Sequence, residues 1–132
     1  MYYHFWRQGF EKGVDEMDIA VTSIEQWQIV ALIGKFVTKA ISQVNKLFNE
    51  FEKAGTVNVA LDLSRTTHMD SSAITCLLQF YKRIVIKNGK IVLFGANDDI
   101  TGIITIVGLD HSVPLCKTKL DFQQNFLSNA NC

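Results

Sequence analysis

Asp70, Ser71 and Ser72 stand in direct succession, between an apolar run that ends at Leu63 and a helical pattern that begins at Ala73. A carboxylate and two hydroxyls at a helix start have a defined set of uses. The first turn of a helix carries unpaired backbone N–H groups and a partial positive charge. An aspartate one residue ahead of the helix accepts from those donors, so Asp70 is expected as the N-cap. The hydroxyls of Ser71 and Ser72 then lie where a phosphate is electrostatically tolerated. The plain alternative for Ser71 is a helix-start hydroxyl bonded to its local backbone. Residue type and spacing alone leave both readings open.

Other chemistries find less support. His68 precedes Ser71 by three residues, but no G-x-S-x-G elbow surrounds either serine, and His68 reads as a surface turn residue. His4 and His111 are isolated. There is no G-x-G-x-x-G after a strand and no Walker loop; Gly34-Lys35 follows a strand without the glycines that such a loop needs. Asp62, Asp70, Asp98 and Asp99 fall near expected strand ends, where an acidic cluster could hold magnesium for aspartyl phosphorylation. The paired acids such a site needs after the first strand are missing, and Asp98 and Asp99 suit the first turn of a helix. Of the cysteines, Cys76 falls in a helical pattern and Cys116 beside a strand, and both read as small buried apolar residues; Cys132 completes an odd count with no C-x-x-C pair. No metal site and no cofactor are expected.

Elements must hold the joint in place. Met17–Ile24 and Trp27–Ile33 are β-type runs joined by Glu25-Gln26, a hairpin connection without glycine, and Gly34 closes the second run. Val37, Ala40, Ile41, Val44, Leu47, Phe48 and Phe51 recur at helical spacing. They predict a helix that starts near Thr38 and stops at Gly55, with Asn45, Asn49, Glu52 and Lys53 on its wet face. Val57, Val59, Leu61 and Leu63 alternate, with Ala60 apolar on the other side, which suits a strand inside a covered sheet. Asp62 interrupts that trend, as a local turn anchor or as part of a site at a strand end. A short turn then leads to the joint.

Beyond it, Ala73, Ile74, Leu77, Leu78, Tyr81, Ile84 and Val85 form a second apolar stripe, which Asn88-Gly89 stops. Lys82, Arg83 and Lys87 crowd the C-terminal half of that helix, where its dipole favours them. Ile91–Phe94 is a short apolar strand. Asn97 or Asp98 caps a third helix ending at Gly108, and Gly102 within it implies close packing. A brief strand near Val113–Cys116 carries Pro114, which places it at an edge, and a last helix lies between Lys119 and Leu127.

The order β-β-α-β-α-β-α-β-α predicts one α/β domain over 17–132, with a mixed, mostly parallel sheet, an N-terminal β-hairpin and about four helices. Residues 1–16 carry five aromatics without a period. They read as a frayed arm or an added leader, or as an aromatic arm packing on a partner or a second copy.

Composition bounds the partners. The chain has 132 residues, 48% of them hydrophobic and 20% charged, enough for one domain with a true core. Thirteen basic and thirteen acidic residues cancel, so nothing favours direct binding to nucleic acid or to an acidic membrane surface. The apolar runs are too short to span a bilayer and the N-terminus lacks the pattern of a signal peptide, so a cytoplasmic protein without membrane insertion is expected.

The stretches LDLS (Leu61–Ser64) and HMDSSAITCLLQFYKRIVIKNGKIVLFG (His68–Gly95), followed by the close at Val107-Gly108-Leu109, resemble the STAS domain of bacterial anti-sigma factor antagonists. The resemblance runs from about Met17 to the end and implies a STAS-type fold and a switch, not an enzyme. In such proteins the serine after the joint aspartate is phosphorylated by an anti-sigma factor that is itself an ATP-dependent serine kinase. The matching residue is Ser71. The unmodified form binds that kinase and releases a sigma factor, and a serine phosphatase restores the binding form. Carried over, Asp70 caps and orients beside the acceptor. Ser72, Asp62, Met69 and the face of the helix over 71–87 contribute to docking.

This chain departs from the pattern at two places. Gly34-Lys35-Phe36-Val37 stands where the family often has Gly-x-Leu-Asp, and Ala73 where a glycine often follows the serines. The alternative function is a constitutive STAS scaffold or accessory subunit, in a stressosome-like or lipid-transport complex, bound to other STAS proteins with no serine switch. The lost acid at Val37 and the aromatic N-terminal arm lean that way.

Overall fold

The computed structural model describes residues 2–7 and 17–127. The expected hairpin is present as β2 (Asp18–Ile24) and β3 (Trp27–Phe36), paired from Ile24–Trp27 to Asp18–Ile33. Glu25 takes the left-handed turn conformation, φ 56°, that glycine more often supplies. A further strand, β1 (Tyr2–Arg7), lies antiparallel to β2. Nothing in the spacing of its residues predicts it. The arm reading of residues 1 and 8–16 falls outside the described residues.

After β3 come a 3-10 turn (Thr38–Ala40) and α1 (Ile41–Ala54), which ends at Gly55 in the left-handed conformation. Then follow β4 (Asn58–Asp62), β5 (Thr66–Met69), α2 (Ser71–Ile86), β6 (Lys90–Phe94) and α3 (Asp98–Val107). A 3-10 turn over Leu109–His111, β7 (Leu115–Cys116) and α4 (Lys119–Phe126) complete the order. The sheet runs β1-β2-β3-β4-β6-β7. Pairing is antiparallel between β1, β2 and β3 and parallel from β3 through β4 and β6 to β7. It is the mixed, mostly parallel α/β sheet with an N-terminal hairpin and four helices that the pattern predicts.

Two expectations about the strands need correction. β3 does not stop at Gly34 but continues to Phe36, and the supposed turn before Asp70 contains β5. The two facts have one cause. β3 pairs with β4 over Gln28–Ala31, outruns it, and then pairs in parallel with β5: Gly34 opposite Thr66, Lys35 opposite His68, Phe36 opposite Met69. The register shifts between Gly34 and Lys35, and Gly34 sits at φ 111°, a bulge conformation open to glycine and strained for other residues. Thr66 is buried, and its hydroxyl donates to the Leu32 carbonyl at 2.6 Å. β5 is thereby pinned to the main sheet.

The larger core lies between one sheet face and α1, α2 and α3, with Phe36, Phe48, Leu61, Leu63, Leu77, Phe80 and Ile104 buried in it. The other face carries Trp27, Ile29, Ala60, Val92 and Phe94 under Phe122 of α4. Each of the larger aliphatic and phenylalanine side chains among these contributes about 1.5–3 kcal/mol on burial. The stripe on α2 is turned from the predicted one. Cys76 and Phe80 point inward, while Val85 is exposed, because Phe80 stacks on Phe48 of α1 with centroids 3.8 Å apart. Gly102 is not a close-packing site: a Cβ there would meet nothing within 4 Å. On α1, Gln43 is buried and donates to the Met17 carbonyl at 2.7 Å.

Candidate functional site

The pairing of β3 with β5 fixes the site. With Phe36 opposite Met69, the residues just beyond, Thr38 on one chain segment and Asp70 on the other, arrive side by side. Asp70 is the N-cap of α2 as expected, extended at φ −112° and ψ −177°, and its Oδ1 accepts from the Ala73 N–H at 3.0 Å. Its other oxygen does something the sequence did not reveal. Oδ2 accepts from both the N–H and the hydroxyl of Thr38, each at 3.0 Å. The 3-10 turn before α1 has Val37 at its cap position and no side-chain acceptor of its own. One carboxylate therefore serves the starts of two helical segments.

These bonds set the charge state. Partial burial raises the Asp70 pKa, but the N–H of Ala73, the N–H and hydroxyl of Thr38 and the N–H of Ser72 outweigh it, and the carboxyl lies below its ordinary value. It is ionised at neutral pH.

The two serines differ. Ser72 is half-buried, with its Oγ 3.0 Å from Thr38 Oγ1. Ser71, the first residue of α2, is exposed, and its hydroxyl has no hydrogen-bond partner among the described residues. Both border an open groove of about 340 Å³ whose other walls are Thr38, Ile41, Thr75, Cys76 and Gln79. The groove runs along the crease between the start of α1 and the exposed side of α2. Cys76 is buried, gives its thiol hydrogen to Asn45 Oδ1 at 3.3 Å, and is pushed up to about 11 by burial, against the pull of Arg83. It is not a nucleophile at neutral pH. Cys116 is half-buried, less enclosed than its sequence context suggests.

The remaining site candidates lie apart from this cluster. Asp62 Oδ1 accepts from the Ser64 N–H at 2.9 Å and the Ser64 hydroxyl at 2.6 Å, which is the turn-anchor role, and Asp62 does not line the groove. Met69 is 6% exposed and packs in the larger core, so its side chain offers little to a docking partner. His68 is exposed and bonds Thr67 Oγ1 at 3.0 Å. Asp98 and Asp99 stand in the first turn of α3, whose cap is Asn97. Thr38 is the residue that sequence reasoning missed as a site member. Its helix-start position was legible, but its reach to Asp70 depends on β5.

Among the described residues no group of His, Cys, Asp and Glu is placed to hold a metal ion, and no helix is long and apolar enough to cross a membrane.

Comparison with known proteins gives a consistent result. The STAS domain family model matches residues 18–123. No curated protein matches the chain in sequence. Among solved structures, an anti-sigma factor antagonist from Mycobacterium paratuberculosis superposes with a TM-score of 0.74 at 17% identity, covering 81% of this chain and 91% of that one. A candidate anti-sigma factor antagonist from Thermotoga maritima gives 0.72 at 20% identity, covering 75% and 86%. The Bacillus cell fate determinant SpoIIAA in its phosphorylated form gives 0.60 at 15% identity, covering 74% and 89%. At such identities the likeness is one of fold.

Proposed function

The chain belongs to the STAS domain family, and from that premise we propose that it is an anti-sigma factor antagonist switched by phosphorylation at Ser71. Unphosphorylated, it docks on an anti-sigma factor with ATP-dependent serine kinase activity, and that kinase lets go of its sigma factor. Phosphorylated, it no longer docks until a serine phosphatase removes the group. It acts by binding in the cytoplasm and catalyses nothing itself.

One observation carries the reading: Ser71 presents an exposed hydroxyl, unengaged among the described residues, at the edge of a groove, next to a committed aspartate and a committed second serine. A phosphate there adds a charge of roughly −1.5 to −2. The N-terminus of α2 offsets part of that charge, so the fold is retained. A partner surface shaped for a neutral hydroxyl would meet a dianion beside ionised Asp70 and bear its desolvation cost. Blocking by local charge and bulk requires no rearrangement of the domain.

The test compares wild type, Ser71→Asp and Ser71→Ala as baits and as kinase substrates. Wild type and Ser71→Ala are expected to retain an ATP-binding serine kinase, with Ser71→Ala resisting phosphorylation. Ser71→Asp is expected to lose that partner while its thermal midpoint stays close to wild type. Equal retention of the same partners by wild type and Ser71→Asp would refute the switch. It would favour the constitutive scaffold or accessory subunit, the reading toward which the apolar Val37 leans.

A further inference from the structure

One of the two serine hydroxyls at the joint is engaged, and its partner comes from the lead-in to α1. Thr38 Oγ1 lies 3.0 Å from Asp70 Oδ2 and 3.0 Å from Ser72 Oγ. A carboxylate only accepts, so the single hydroxyl proton of Thr38 goes to Asp70. The contact with Ser72 must then be donated by Ser72, whose proton points inward to Thr38. The Thr38 N–H ends on the same Asp70 oxygen. Ser72 thus donates to Thr38 and Thr38 to Asp70, a directed chain that ends on the carboxylate, whose other oxygen accepts from the N-terminus of α2.

We infer that Thr38 is a positioning residue of this site: it holds Ser72 and Asp70 in one hydrogen-bonded chain and so leaves Ser71 as the joint hydroxyl open to phosphorylation. The inference rests on the reading of Ser71 as the acceptor. Phosphoryl transfer needs a hydroxyl that can approach the donor in line and give up its proton. Ser71 is exposed and uncommitted; Ser72 is half-buried and already donating. The same chain explains how the start of the α1 segment manages with valine at position 37, since Asp70 reaches across from β5 to take the Thr38 N–H.

The test uses isotope-labelled wild type, Thr38→Val and Thr38→Ser. By NMR, Thr38→Val is expected to shift the Asp70 carboxyl titration to higher pH and to average the Ser72 side-chain couplings, leaving those of Ser71 unchanged. Thr38→Ser should restore both. An Asp70 titration and Ser72 couplings indifferent to Thr38→Val would overturn the positioning role. The three proteins are then incubated with ATP and the serine kinase retained by the wild-type bait, and the phosphate is mapped by mass spectrometry. Wild type and Thr38→Ser should carry it on Ser71 alone and Thr38→Val on both serines. Phosphate confined to Ser71 in Thr38→Val would overturn the selection of one serine by Thr38. Phosphate on neither serine in any of the three would overturn the switch itself, and the NMR comparison still decides separately whether Thr38 positions the joint.

Discussion

Replacing Asp70 by alanine removes the 3.0 Å bonds from Ala73 and from the N–H and hydroxyl of Thr38, which belong to two different segments, and the cost follows from the geometry. Losing the N-cap acceptor for the Ala73 N–H costs about 1 kcal/mol. The two bonds from Thr38 lie in a site open to water, which replaces much of each, leaving a net loss of about 0.5 kcal/mol apiece. The sum is about 2 kcal/mol. For a chain of this length about 1 kcal/mol moves the thermal midpoint by about 3–5 °C, so Asp70→Ala is expected to melt about 6–10 °C lower. Asp70→Asn keeps a good cap but has one carbonyl oxygen for two jobs, and should cost about 1 kcal/mol. The decisive number is the coupling. Because the Thr38 hydroxyl bond is lost in either single variant, Asp70→Ala with Thr38→Val should cost less than the sum of the two by about 0.5 kcal/mol. Urea unfolding at neutral pH, followed by far-UV circular dichroism, measures all four corners of the cycle. Strict additivity, or an Asp70→Ala variant as stable as wild type, would refute the shared-carboxylate arrangement.

Acid should reveal the same group. The Asp70 pKa is lower in the folded chain than its ordinary value of 3.8, so its contribution to stability is complete above that value and is lost as pH falls through the folded pKa. The stability gap between wild type and Asp70→Asn should be constant from neutral pH down to about 5 and shrink below 3.8; a gap that widened in acid would reverse the sign. Leu77 is fully buried beneath α2, and Leu77→Ala should cost about 2–5 kcal/mol by urea unfolding; a negligible cost would take it out of the core. The Cys76 thiol, buried and pushed up to about 11, should react with a disulfide reagent at mildly alkaline pH far more slowly than half-buried Cys116. Comparable rates in the single-cysteine variants would contradict its burial.

The sequence carried most of the fold because its helices announce themselves. The i, i+3, i+4 spacing of Val44, Leu47, Phe48 and Phe51 marks α1, and the stops at Gly55 and Gly108 fall where the chain turns left-handed. Asp70 as a cap and Ser71 at the start of α2 were legible for the same local reason. What escaped was everything that depends on pairing at a distance. β5 has only four residues, Thr66–Met69, buried at the two ends and exposed between, and no alternation betrays it. Its existence comes from the overhang of β3, which no local window contains. Thr38 escaped with it, because a threonine at a helix start looks self-sufficient until another segment delivers a carboxylate. The inward turn of Phe80 was hidden likewise, since its stacking on Phe48 joins two helices far apart in sequence, whereas the burial of Cys76 was legible in its helical context.

The two faces of the sheet differ in when they can be closed during synthesis. The face that carries Ser71 is covered by α1, α2 and α3, elements made early and in step with the strands they cross. Among the described residues the opposite face is covered by α4, eight residues near the end of the described chain, with Phe122 edge-on to Trp27 at 5.1 Å and stacked on Phe94 at 5.3 Å. Until Phe122 has left the ribosome, the nascent sheet presents Trp27, Ile29, Val92 and Phe94 without the ring that packs on them in the finished fold. The switch face could already be native while those side chains remain a surface for chaperones, or for another unfinished copy, and a messenger broken before the codons of α4 would leave them so.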